Sequence, residues 1–148
     1  RISDIASKAN GRAARLRVYF EEWNHPMISG IGWVSELIEI AGGADVFPEL
    51  SRMKSATERI VTPDAVIGAA PDIIIGSWCG RKFVPAKVKA RPGFGAVPAV
   101  RNNWLREIKS PLILQPGPAA LTDGLDAIVA IVREWQEHHA EKRKAVFG

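Results

Sequence analysis

The apolar residues of this chain fall into two periods, and the shorter one fixes its centre. Residues 71–80, PDIIIGSWCG, carry three consecutive isoleucines, Ile73, Ile74 and Ile75, bounded by Pro71-Asp72 and by Gly76 and Gly80. A short run that is apolar on both faces predicts the middle strand of a parallel sheet covered by helices. Trp78, Cys79 and Arg81 then emerge at its carboxyl end, where open α/β sheets keep their ligand crevices. Residues 17–22, RVYFEE, predict the first strand, and Trp23, Asn24, His25 and Pro26 follow where a strand-to-helix loop belongs.

Helical periodicity separates and follows these strands. Over residues 29–41, Trp33, Leu37, Ile40 and Ala41 repeat on one face, Val34 and Ile38 widen it, and Glu36 and Glu39 lie toward solvent. Gly42-Gly43 ends that helix, and residues 45–48 allow an edge strand at most. Thr62 as a cap with Pro63 at the first helical position predicts a second helix that turns Val66, Ile67 and Ala70 inward. A small helical segment is expected at residues 86–90. Residues 97–100 and 104–108 read either as one hairpin or as a short parallel strand followed by an edge strand, the second preferred because the preceding units alternate helix and strand. The prolines of residues 110–118 make that stretch irregular. Leu121, Leu125, Ile128, Val132 and Trp135 predict one long final helix from about residue 119 to near 142. Residues 1–11 look like the last turns of a helix, with Asn10-Gly11 as its stop.

Strand and helix alternate, which predicts an α/β fold: a three-layer Rossmann-like arrangement with a mostly parallel sheet and right-handed crossovers. At 148 residues the chain is one domain by length, and its 47% hydrophobic and 24% charged residues are those of a globular domain. No stretch is apolar for long enough to cross a bilayer as a helix. The net charge of +4 is spread in small groups, Arg12, Arg15 and Arg17 in one and Lys142, Arg143 and Lys144 in another. Without a stacking platform or a reading helix behind it, that excess does not point to nucleic acid. Cys79 is the only cysteine, so the chain forms no internal disulfide.

The candidate chemistry sits at strand ends. Glu21 and Glu22 are neighbours in a strand and therefore face opposite ways, which makes them a poor acid and base pair; a surface role for at least one is expected. His25, His138 and His139 lack a third ligand at metal-binding spacing. Cys79 follows a strand as a nucleophile does in a cysteine-dependent α/β enzyme, but no histidine accompanies it locally, and a buried thiol is the expected state. No GxGxxG follows the first strand, no GxxxxGK[ST] exists, and Ile31-Gly32-Trp33 is no phosphate cradle on its own, so the sequence lends little support to a dinucleotide or nucleoside triphosphate site. The tryptophans offer an apolar wall for a large ligand. Gln115, in a proline-stiffened loop beside Ile113 and Leu114, suits an uncharged, amide-bearing surface.

Taken together, VYFEEW at residues 18–23, SGIGWVSELIEIAGG at 29–43, PDIIIGSWCG at 71–80 and SPLILQPGPAALTDGL at 110–125 resemble the carboxyl-terminal lobe of the periplasmic substrate-binding proteins of ABC importers, in the branch that captures cobalamin or ferric siderophores. The resemblance implies two α/β lobes joined by a long helix, with ligand held between them. Residues 1–11 would end the connecting helix, residues 12–148 would form the carboxyl-terminal lobe, and the amino-terminal lobe would be missing. It implies a periplasmic, non-catalytic protein that captures a corrinoid, with cobalamin as cargo, and delivers it to a membrane permease. Trp23, Trp78, Arg81, Trp104 and Gln115 are then expected in the ligand wall, and Glu22 and Glu36 are the candidate docking carboxylates. The ferric-siderophore alternative requires arginines to dominate the recess, with Arg81 and Arg101 as the residues to supply them. An isolated lobe would expose its inter-lobe face, from which self-association is expected.

Overall fold

The computed structural model describes residues 16–114, 118 and 120–147; the expected helix end at residues 1–11, and Gln115, lie outside them. Strand β1, Leu16–Asn24, is the spine of the sheet. On one side it pairs in parallel with β4, Ile73–Gly76, in the register Val18 to Ile73 and Glu21 to Gly76. On the other side its first half pairs in parallel with β3, Gly43–Asp45, and its second half antiparallel with β2, Met27–Ser29. Strand β5, Leu105–Glu107, closes the far side, parallel to β4. The sheet is open and mostly parallel, and Ile73, Ile74 and Ile75 are fully buried as a central strand requires. Because consecutive residues of a strand face opposite ways, three buried isoleucines in a row mean that both faces are covered.

The helices enter where local sequence dictates. Helix α1 is Gly32–Ile40 and buries Val34, Leu37 and Ile38, and α2 is the short turn Pro48–Ser51. Helix α3, Pro63–Ala69, starts as its sequence predicts: the Thr62 hydroxyl accepts the Ala65 N–H at 3.1 Å. Ala70, in left-handed conformation at φ 48°, ends it before Pro71. Helices α4, Pro85–Lys89, α5, Pro98–Arg101, and α6, Ser110–Ile113, are each one to one and a half turns, with proline in the first turn. Helix α7, Leu125–Phe147, packs beside α1 and lays Leu125, Ile128 and Val132 on the core.

Three expectations are corrected here. Residues 97–100 are not a strand: Pro98 lacks the N–H a strand ladder needs and suits the first helical position, so α5 forms instead. The cluster from Trp23 to Pro26 is not a strand-to-helix loop, because Trp23 and Asn24 continue β1 and the turn at His25-Pro26 returns the chain as β2. Leu121 does not join the apolar stripe of α7; it lies in a π-helical turn, Ala120–Gly124, and is 55% exposed. The wider turn rotates it off the face its spacing promised. The free edge of β5 is masked by its own side chain, since Arg106 donates to the Leu105 and Asn103 carbonyls at 3.1 Å and pairs with Glu134.

Gly76 ends the central strand against the face of Phe83, where a Cβ would overlap the ring. Gly76→Ala is therefore expected to cost about 1–3 kcal/mol of stability, measured by urea unfolding; a loss under about 0.5 kcal/mol would show that the Phe83 ring can step aside.

Candidate ligand-binding face

The carboxyl ends of β1 and β4 are built around two adjacent carboxylates. Glu21 is fully buried, and four donors converge on it. Its Oε1 accepts the Tyr19 hydroxyl at 2.8 Å and Arg91 Nη1 at 2.8 Å; its Oε2 accepts Arg91 Nη2 at 2.9 Å and the Trp78 indole N–H at 2.9 Å. Burial first, and the Glu21 charge and hydrogen bond second, hold the Tyr19 phenol well above its usual pKa, so it remains a donor. Glu22 points to the opposite face, where it accepts the Ile31 N–H at 3.0 Å at the start of α1 and pairs with Arg59 at 2.7 Å. The strand period placed the two as expected, but neither has a free surface role, because each is neutralised by an arginine brought from a distant loop.

The backbone beyond β4 is fastened to these strand ends. Ser77 N–H donates to the Glu21 carbonyl at 2.9 Å and Cys79 N–H to the Glu22 carbonyl at 3.2 Å. The other end of the loop is held by Glu107 of β5, whose Oε2 accepts the Phe83 N–H at 2.9 Å. Between these ties, Cys79, Gly80, Arg81 and Lys82 are exposed. Gly80, Arg81 and Lys82 border an open recess of about 370 Å³ beyond the carboxyl ends of β4 and β5, whose lining also includes Trp78, Glu107, Lys109 and Pro111. Among the described residues, three cations thus meet one carboxylate, and that carboxylate already serves Phe83 and, at 3.3 Å, Lys109.

The structure brings only part of the expected wall together. Trp23 is half-exposed, its indole N–H donating to the His25 carbonyl at 3.0 Å, and the Arg81 guanidinium lies 5.6 Å from the centre of its ring. Trp78 reaches the recess but is only 2% exposed, with its edge on Phe83 and its N–H on Glu21. Trp104, 5% exposed, is separated from both. It precedes β5 at the amino end of the strands, under His138 at 5.6 Å and the Arg106 guanidinium at 4.6 Å. Arg101, three residues earlier at the end of α5, lies outside the recess lining. Glu36 is exposed on α1 beside a shallow recess of about 240 Å³ that also includes Ser51 and Arg52.

Cys79 corrects the sequence reading in another way, because its thiol is exposed rather than buried. Its backbone follows Trp78 out of the sheet, and among the described residues the thiol bonds no histidine or carboxylate. No cluster of histidine, cysteine and carboxylate suited to a metal occurs among the described residues. Two residues that matter here, Arg59 and Arg91, were not singled out from sequence. Adjacent glutamates in a buried strand call for two cations, but nothing local says which loops will supply them.

An open, mostly parallel sheet with a polar crevice beyond its strand ends defines a ligand-binding α/β lobe. The chain belongs to the periplasmic binding protein family, whose model matches residues 1–112. No curated protein matches its sequence. Among solved structures, it is similar to one described as a possible iron-binding (periplasmic solute-binding) protein of Staphylococcus epidermidis, at 18% identity and TM-score 0.70, covering 88% of this chain and 50% of that one. The vitamin B12-binding protein BtuF of Vibrio cholerae gives 18% identity and TM-score 0.64, over 91% and 50%. The heme-binding protein RhuT of Roseiflexus sp. RS-1 gives 21% and 0.64, over 88% and 52%. The chain spans about half the length of these structures, and at such identities the likeness establishes the fold.

With Cys79 exposed on the loop after Trp78, folded protein is expected to react fully with a disulfide reagent such as dithionitrobenzoate without denaturant. Labelling that appears only after unfolding would contradict this placement of residues 77–83.

Proposed function

We propose that this chain is the carboxyl-terminal lobe of a periplasmic, two-lobed solute-binding protein that holds an anionic iron complex of the siderophore class and delivers it to an ABC importer permease. The observation that carries the reading is the charge of the recess: among the described residues, Arg81, Lys82 and Lys109 stand against one carboxylate, Glu107, and Glu107 is already engaged. A ligand carrying several negative charges neutralises such a group while its chelated metal stays on the ligand, so no side chain here has to ligate iron. The corrinoid reading draws support from the half-exposed Trp23 ring and from the B12-binding likeness. It is weakened by the burial of Trp78 and Trp104, which leaves little aromatic area for a neutral macrocycle.

A second lobe would enclose the ligand from the other side, since one open recess removes only part of a chelate's surface from water. The work is capture and release, and among the described residues the Cys79 thiol bonds no base with which to act as a nucleophile. For the permease contact, Glu36 on the exposed side of α1 is the better of the two candidate carboxylates, because Glu22 is held by Arg59 and by the first turn of α1.

Calorimetric titration of the full chain with a ferric tris-catecholate, a neutral ferric tris-hydroxamate, hemin and cyanocobalamin tests the ligand class. The catecholate should bind most tightly and weaken as salt is raised, and Arg81→Gln should lower its affinity about tenfold, near 1.4 kcal/mol. Tighter binding of cyanocobalamin, indifferent to salt and to Arg81→Gln, would return the reading to a corrinoid; a preference for hemin would replace the siderophore.

A further inference from the structure

Two of the recess cations, Arg81 and Lys82, lie on an exposed stretch of four residues, and such a stretch ordinarily wanders. Here it is strung between fixed points, the Cys79 and Phe83 N–H groups and the Trp78 side chain, whose only polar atom donates to Glu21 Oε2. Arg81 N–H in turn donates to the Trp78 carbonyl at 3.0 Å, so the position of Trp78 passes directly to the turn that carries Arg81. Glu21 can hold Trp78 only while its own carboxylate is held; the Tyr19 hydroxyl grips one oxygen, and Arg91 grips both through two parallel bonds of 2.8 and 2.9 Å. Arg91 does not line the recess; it lies 13% exposed and over the Phe94 ring at 5.3 Å.

We propose that Arg91 is a positioning residue for ligand capture: by fixing the orientation of the Glu21 carboxylate it fixes the Trp78 indole, and through Trp78 it sets where the Arg81 guanidinium meets an anionic ligand. The inference rests on the reading of the recess as an anion site. Its physical core is the geometry of the fork. A guanidinium making two bonds defines the plane of a carboxylate, whereas an ammonium at the same place neutralises the charge and leaves that plane free to turn. A loop ordered before the ligand arrives also loses less freedom on binding.

A double-mutant cycle separates this role from a merely structural one. In the full chain, Arg91→Lys keeps the charge beside Glu21 and loses the fork. It is expected to unfold cooperatively like the parent while binding the ferric tris-catecholate about fivefold more weakly. Arg81→Gln alone should lose about tenfold, and the double variant should be no weaker than Arg81→Gln, because Arg91 acts through Arg81. Trp78→Phe removes the indole N–H, keeps an aromatic ring against Phe83, and should reproduce the Arg91→Lys result, which keeps the test available if Arg91→Lys does not fold. Losses that multiply in the double variant, or folded Arg91→Lys and Trp78→Phe proteins with parental affinity beside a weakened Arg81→Gln, would overturn the positioning role alone. An Arg81→Gln protein with parental affinity would overturn the anion reading and this inference with it.

Discussion

Two neighbouring carboxylates on the central strand impose the main constraint on this lobe. Glu21 and Glu22 project from opposite faces of β1, so no single cation can serve both, and each ionised group taken out of water carries a penalty of several kcal/mol unless it is paired. Arg91, 70 residues further on, answers Glu21, and Arg59, 37 residues on, answers Glu22. Two otherwise irregular stretches are thereby fastened to the end of the same strand. The fastening is asymmetric in what it supports: Arg59 and Glu22 brace the entrance to α1, and Arg91 and Glu21 brace the loop that carries the exposed cations.

This division sorts the arginines into those consumed by folding and those left for a ligand. Arg59 and Arg91 are buried against carboxylates, and Arg106 is spent on Glu134 and two carbonyls. Among the described residues, the Arg81 guanidinium keeps only its approach to the face of Trp23, and none of its five donors is bonded there. Net charge over the whole chain says little about this, because a count treats all arginines alike. The local balance at the strand ends differs from the average of the chain, and it is the local balance that a ligand meets.

Much of the fold could be read from the sequence because its signals were local. The isoleucine run, the Thr62-Pro63 helix start and the stripe of α7 each act within a few residues, and each formed. What could not be read depended on partners far along the chain. The strand β2 follows from a turn after Trp23 that sequence alone does not distinguish from a loop, and residues 97–100 are apolar enough for a strand until Pro98 is weighed. The binding face was harder still. Trp78 and Trp104 stand at strand boundaries, as binding tryptophans often do, but burial removes most of the first from contact, and Trp104 stands at the start of its strand, the opposite end of the sheet from the recess. Arg81 was legible because it lies in the loop that leaves the central strand; Lys109 became relevant only when parallel pairing set β5 beside β4.

The outer edge of β5 shows how an open sheet is kept from growing. Its outward carbonyl at Leu105 is already occupied by the Arg106 guanidinium, which also lies over Trp104 and is held in turn by Glu134. A strand from another molecule would have to dislodge that group and strip it of its ion pair before it could form a ladder. Lateral polymerisation of the sheet is therefore blocked at this border, and the lobe can leave the carboxyl ends of its strands open to a ligand without making the neighbouring edge a template for aggregation.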